Sequence, residues 1–199
     1  MQLIQLILTL ATFLLTVKCQ VQNTTQQYRL KTELKPNQPG KERYGNLYLA
    51  GYHIAAGLSD AVLLSDQSAG ITGFLNGTNG QVNEITYQNQ VFDLGNDFAW
   101  TLLPVPSVNF YAAWQPVRVQ AGDGPSDLQS DSGFWIDNEN GLQWTSAPQD
   151  APGSGSDAFG GWLVCNWWHG VPQLFFRISN EEALAPCSCA DVWLCPEYI

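Results

Sequence analysis

Ser59 and His169 are the side chains whose types and order could form a nucleophilic triad. Residues 57–61 read GLSDA, which is close to the G-x-S-x-G nucleophile elbow of hydrolases, in which the histidine follows last along the chain. That elbow works on a strand-to-helix turn of a parallel sheet, and no stretch of this chain has the 3.6-residue apolar period of such helices. We therefore interpret residues 57–61 as a turn between two strands and predict no catalytic residue.

Acidic residues are the second group that could do chemistry. The chain has 18 Asp and Glu against 8 Lys and Arg, a formal net charge of −10, and glycoside hydrolases pair two carboxylates. The candidates are Asp123, Asp127, Asp131, Asp137 and Glu139. A chain this acidic offers carboxylates in any loop, so we interpret these as solvated or turn-capping residues. The ligand order of an EF-hand is missing here, and we predict neither a metal nor a cofactor.

The N-terminus indicates a secreted chain. Residues 2–17 form an apolar run that is shorter than the roughly 20 apolar residues of a membrane span and suits a signal peptide over residues 1–19. No later stretch is long enough to span a membrane. Residues 20–27 are a polar lead that we expect to be disordered. Two sequons, at Asn23 and Asn76, predict glycosylation.

The cysteines of a secreted chain are expected to form disulfides. Signal-peptide removal takes away Cys19 and leaves four cysteines: Cys165, Cys187, Cys189 and Cys195. An even number in a secreted chain predicts two disulfides, and one intervening residue disfavours a Cys187–Cys189 bridge. Two pairings remain: Cys165–Cys187 with Cys189–Cys195, which we favour, and Cys165–Cys189 with Cys187–Cys195. The usual cysteine spacings of a zinc site are absent.

Aromatic residues concentrate in residues 159–178, which read FGGWLVCNWWHGVPQLFFRI. The pattern predicts two apolar strands joined by a turn at residues 169–172. His169 is then either a loop residue bonded to the backbone or part of an aromatic contact surface. Tryptophan rings stack on sugars and bury large areas at interfaces. We predict Asn166, Trp168 and His169 as contact residues.

The elements that position these residues are short strands. Apolar and polar residues alternate repeatedly, for example in YRLKTEL at residues 28–34. A hairpin over residues 134–145 turns at residues 138–141, and residues 180–199 read as a disulfide-bearing tail. Residues 28–199 are therefore predicted to form one all-β domain of about ten to twelve short antiparallel strands. A β-trefoil-like barrel is favoured over a β-sandwich.

Several segments resemble a family of small secreted proteins of filamentous fungi that has no assigned activity. They are GNLYLAGYH, FLNGT, FDLGNDFAW, FYAAWQPVRVQAG and FGGWLVCNWWHGVPQLFF. The resemblance runs from residue 28 to the end of the chain. It implies a secreted fungal protein that acts at the cell wall or against a host, and it carries over no catalytic residue.

The functional hypothesis is a non-enzymatic extracellular protein that binds a glycan or a protein surface. Scattered basic residues in an acidic chain disfavour nucleic-acid and anionic-membrane partners, because both need clustered Lys and Arg. The alternatives are a polysaccharide-active hydrolase that uses acidic residues and a structural component of the wall.

Overall fold

The computed structural model describes residues 26–82, 85–95, 99–105, 113–122, 133–146, 159–178 and 185–199, with the backbone alone for residues 78–82. The predicted signal peptide, most of the polar lead, the Asn23 sequon and the loop carboxylates lie outside these residues. The loop carboxylates are Asp123, Asp127 and Asp131.

The described residues contain twelve β-strands. They are β1 (Tyr28–Leu34), β2 (Tyr48–Ala55), β3 (Leu58–Leu64), β4 (Thr72–Val82), β5 (Ile85–Asp93), β6 (Trp100–Pro104), β7 (Trp114–Ala121), β8 (Phe134–Asp137), β9 (Gly141–Trp144), β10 (Phe159–Asn166), β11 (Pro172–Ile178) and β12 (Cys189–Tyr198). Two short 3₁₀ helices, Glu42–Tyr44 and Gln67–Ala69, follow β1 and β3. In this part of the chain no helix is long and apolar enough to cross a membrane.

All twelve strands belong to one sheet that closes on itself. Its order is β10-β12-β9-β8-β5-β4-β1-β2-β3-β11-β7-β6, and further pairings join β10 to β11, β12 to β1, β5 to β6 and β3 to β7. Every pairing is antiparallel except the single contact of β9 with β12. The predicted all-β domain of antiparallel strands is therefore confirmed. The ring is one sheet rather than a two-sheet sandwich, but it is not a regular barrel, because several strands pair with three neighbours.

Alternation along the strands places one face of the sheet in the main core. In β1, Tyr28, Leu30 and Thr32 are buried while the residues between them are partly exposed. The main core also takes Trp144 and Trp162, whose side chains are fully buried. Alternating patterns of this kind are what a half-buried strand requires.

Strands β10 and β11 are apolar on both faces. Trp162 and Val164 point into the main core. The intervening Leu163 and Cys165 form a second, smaller cluster with Phe175 and Cys189 on the opposite face. Burial on both faces explains why these strands read as continuous apolar runs in the sequence.

Sheet pairing carries the chain through three segments that contain residues which usually break strands. Residues 76–80 (NGTNG), whose composition predicts a turn, lie within β4, where a register shift between Asn76 and Gly80 absorbs the irregularity. Pro116, at which the sequence predicts a bend, lies within β7, which pairs with β11 on one side. The predicted tail contains β12, which pairs with β1 over seven consecutive residues.

Candidate ligand-binding cleft

The turn between β10 and β11 presents two exposed tryptophans. Trp167 and Trp168 are 49% and 73% exposed, although both are large apolar side chains. The backbone N–H of Gly170 donates to the carbonyl oxygen of Trp167 at 3.3 Å, and Gly170 has φ +75, a conformation that glycine adopts readily. This closed turn holds both indoles at the rim of the sheet.

His169 fixes the turn through contacts with residues of β2 and β3. Its Nε2 lies 2.7 Å from Oδ2 of Asp60, and the exposed fractions of the two side chains are 1% and 9%. The imidazole is stacked between two rings, with centroids 4.1 Å from Tyr52 and 3.8 Å from Trp168. A buried ion pair or hydrogen bond with flanking rings fixes the orientation of the histidine, so the neighbouring tryptophans start from a defined position.

The sheet explains how distant residues meet under this turn. Tyr52 on β2 and Asp60 on β3 are register partners, and Asp60 is in turn the partner of Arg118 on β7. Directly opposed residues on neighbouring strands point to the same face. Three strands therefore bring an aromatic ring, a carboxylate and a guanidinium into one row.

A cleft of about 420 Å³ opens beside this row, and we call it the aromatic cleft. It is lined by Ile54, Asp60, Trp114, Gln115, Pro116, Arg118, Trp167, Trp168, Gln173 and Phe175. Four of these ten residues are aromatic, two more are apolar, and four are polar or charged. This combination is the usual composition of small-molecule sites.

The polar groups of the aromatic cleft are incompletely paired within the described residues. Nε of Arg118 lies 3.8 Å from Oδ1 of Asp60 and has no hydrogen-bond partner there. Gln173 is 2% exposed, and its Oε1 accepts no hydrogen bond from the described residues. Buried polar groups without partners are uncommon in folded proteins, so both groups are candidates for pairing with a ligand or ordered water.

Comparison with known proteins places the chain in a family. A family model described as a domain of unknown function (DUF7907) matches residues 25–198. The chain belongs to the DUF7907 family. No curated protein and no solved structure shows significant similarity to it.

In this DUF7907 chain, the predicted contact residues have different positions. Trp168 lines the aromatic cleft, and His169 supports it through Asp60 rather than through the backbone. Asn166 is exposed at the end of β10, and its backbone N–H donates to Ser188, so it lies next to the turn but outside the cleft lining. Sequence patterns missed Tyr52, because its position depends on a pairing between strands.

Ser59 and His169 do not form a triad. Ser59 is only 5% exposed and neighbours Asp60 on β3, so its side chain points to the opposite face. Gly57, with φ +68, lies in the turn between β2 and β3, but the turn interpretation is wrong for residues 58–61, which belong to β3. On the face of the aromatic cleft, His169 is paired with Asp60 and not with a serine.

Asp137 is a turn-capping residue, as predicted. Its Oδ1 accepts hydrogen bonds from the backbone N–H groups of Asn140 at 2.7 Å and Glu139 at 3.0 Å. These bonds, chiefly that from Asn140, lower the pKa of Asp137 against the opposing effect of burial. Within the described residues, no group of three or more His, Cys, Asp and Glu could hold a metal ion.

The cysteines pair differently from the favoured prediction. Cys165 and Cys189 form a disulfide, because they are directly opposed in the register of β10 and β12. The favoured Cys165–Cys187 bridge is therefore wrong, and the alternative partner of Cys165 is the one observed. Cys187 and Cys195 are free thiols, so the second predicted disulfide is absent in either pairing. Burial, with a smaller effect of Glu33, raises the pKa of Cys195 to about 11.

Proposed function

We propose that this protein is a secreted, non-enzymatic binding protein that holds a glycan in the aromatic cleft. The observation that supports it most is the pair of exposed indoles, Trp167 and Trp168, beside the polar groups of Asp60 and Arg118. Sugars have apolar C–H faces that stack on tryptophan, and hydroxyl edges that need hydrogen-bond partners. The cleft offers both kinds of surface.

The polar base of the cleft matches hydroxyl groups in particular. The Arg118 guanidinium donates no hydrogen bond to any described residue, and arginine presents several donors in one plane. The Gln173 amide supplies an acceptor, Oε1, that lacks a donor in the described residues. A ligand with neighbouring donor and acceptor oxygens, such as a sugar ring, would satisfy both after a small side-chain adjustment.

The residues beneath the two indoles hold the aromatic cleft in a fixed arrangement. His169 is held by Asp60 and by the rings of Tyr52 and Trp168. Holding the contact residues in place before binding reduces the entropy lost on association. We therefore infer that the cleft is formed before the ligand arrives.

Secretion and glycosylation are part of the proposal. They are supported by the apolar run at residues 2–17 and by the exposed position of Asn76 in β4. The resemblance to secreted fungal proteins supports an action at the cell wall or the host surface.

A protein surface is the second candidate ligand. Tyr52 is 44% exposed next to the two indoles, and exposed aromatic groups of this kind are typical of interface hot spots.

A hydrolase would need a second carboxylate across the cleft, within about 5–10 Å of the first. Asp60 is the carboxylate that lines the cleft in the described residues, and it is already engaged by His169.

A glycan array with the purified protein, together with chitin and β-glucan pull-downs, tests the proposal. The Trp168→Ala variant should lose about tenfold or more in affinity for each neutral glycan that binds, which corresponds to about 1.4 kcal/mol. Tyr198→Ala is the matched control, because Tyr198 is also an exposed aromatic residue, at 49%, but lies outside the cleft lining. Absence of any glycan binding, or equal losses in the two variants, would contradict the proposal.

A further inference from the structure

A second concave surface, which shares no lining residue with the aromatic cleft, gathers positive charge. A groove of about 830 Å³ has Lys35, Lys41, Asn140, Arg177, Asp191 and Trp193 among its lining residues. We call it the basic groove. Its described lining includes three of the chain's 8 basic residues and one carboxylate, although the formal net charge of the whole chain is −10.

The one carboxylate in the described lining of the groove is already neutralised. Asp191 accepts two hydrogen bonds from Arg177, one from Nε and one from Nη2, the second at 3.1 Å. A two-point pair of this kind is the strong form of an arginine–carboxylate contact. The remaining positive charges of the groove, on Lys35 and Lys41, are therefore not balanced within it.

Lys35 is the basic residue of the groove that has neither a hydrogen-bond acceptor nor a carboxylate partner in the described residues. Lys41 donates to the backbone carbonyl of Cys187, whereas Nζ of Lys35 has no hydrogen bond and no carboxylate within 4.0 Å in the described part of the chain. Partial burial lowers the pKa of Lys35, while Asp191 acts in the opposite direction. A half-buried ammonium without an acceptor is stabilised by any anion that reaches it.

The space beside the Lys35 ammonium is an open hollow. A second hollow of about 230 Å³ shares Lys35, Asn140 and Trp193 with the basic groove and extends it towards Gly161 and Gln143. A Cβ atom on Gly161 would lie 3.1 Å from Nζ of Lys35, so the absence of a side chain there leaves the ammonium accessible.

The wall that carries Lys35 is fixed to the sheet. The Gln38 side chain donates to the carbonyl oxygens of Lys35 at 3.0 Å and Asp191 at 2.7 Å. Its Oε1 accepts from the backbone N–H of Asp191 at 2.8 Å. One glutamine therefore ties the loop after β1 to β12, so the groove is preorganised for a ligand.

We propose that the basic groove is a second binding site, which takes the carboxylate of an acidic sugar. Lys35 would pair with the carboxylate. The amides of Asn140 and Gln143 would meet the hydroxyls, and the partly exposed ring of Trp193 would meet the sugar face. The amides and the aromatic wall favour a uronic acid over an acidic peptide, whose side chains carry no hydroxyl-rich ring.

Calorimetric titration of the full protein tests this site, with trigalacturonate and its fully methyl-esterified form as probes. The wild type should bind the acid about tenfold more tightly than the ester. Lys35→Met and Lys35→Gln should both remove this preference while their thermal unfolding stays that of the wild type. Lys31→Met is the matched control and should keep the preference. It removes the same charge four residues earlier, within β1, but Lys31 pairs with Glu197 outside the groove.

Three results would overturn the proposal: no binding of the acid, an unchanged preference in both Lys35 variants, or equal binding of a glutamate hexapeptide, which would point to a peptide ligand. Trp168→Ala should keep the preference for the acid over the ester. Failure of the aromatic cleft to bind glycans would therefore leave this site standing, and the reverse also holds.

Discussion

At the scale of single residues, the environment of a tryptophan decides its role. Trp162 is 1% exposed, and its Nε1 donates to the carbonyl oxygen of Leu142 at 2.5 Å. Trp168, six positions later, is 73% exposed. Sequence alternation predicted that Trp168 faces a partner, but it could not show that Asp60 would lie beneath the turn, because that contact joins residues 109 positions apart.

Replacing each of these tryptophans by alanine should separate their roles. Trp162→Ala should lower the free energy of unfolding by about 3–5 kcal/mol, because it removes a large buried side chain and leaves a cavity. Trp168→Ala should change it by less than about 1 kcal/mol. Urea denaturation measures both values, and similar values for the two variants would contradict the burial described here.

At the scale of elements, short-range pattern and long-range pairing contribute differently. Strand β1 and the hairpin of β8 and β9 follow alternation and turn residues, so sequence located them closely. Strand β12 was missed as a strand, although Ala190, Val192 and Leu194 alternate with less buried residues. Its cysteines and proline suggested an irregular tail, and its pairing with β1 spans almost the whole chain.

The disulfide between β10 and β12 should contribute measurably to stability. It closes a loop with a sequence separation of 24, and the loss of a native disulfide typically costs about 2–5 kcal/mol. Reduction of the wild type should therefore lower its unfolding midpoint. A Cys165→Ala, Cys189→Ala double variant should unfold at this lower midpoint with or without reductant.

The two free cysteines supply the control. A Cys187→Ala, Cys195→Ala double variant should keep the full sensitivity to reductant, because neither residue is in the bridge. Loss of sensitivity in this variant, with sensitivity retained in the other, would show that a different pair of cysteines is bonded.

At the scale of the whole molecule, the sequence predicted the fold class but not the pairings that close the sheet. Alternation of apolar and polar residues, without the apolar period of helices, indicated an all-β domain of antiparallel strands, and this is confirmed. The closed ring depends on β1 meeting β12 and on β10 meeting β11. Only the second of these contacts is local enough for sequence patterns to indicate it.

The same strand pairings bring basic residues together. Basic residues that are scattered in the sequence meet in the basic groove, where Lys35 comes from the loop after β1 and Arg177 from β11. The sequence analysis disfavoured anionic partners, because a sequence gives the number of charges but not their positions in the fold. A local positive groove in a chain with a net charge of −10 suits a small acidic ligand better than a long polyanion.

The indole N–H signals of the eight tryptophans test the central claim most directly, because each reports on one place in the fold. In a two-dimensional NMR titration with a glycan selected on the array, the signals of Trp167 and Trp168 should shift most. Those of the buried Trp144 and Trp162 should stay in place. Shifts confined to tryptophans outside the aromatic cleft would contradict a glycan site there.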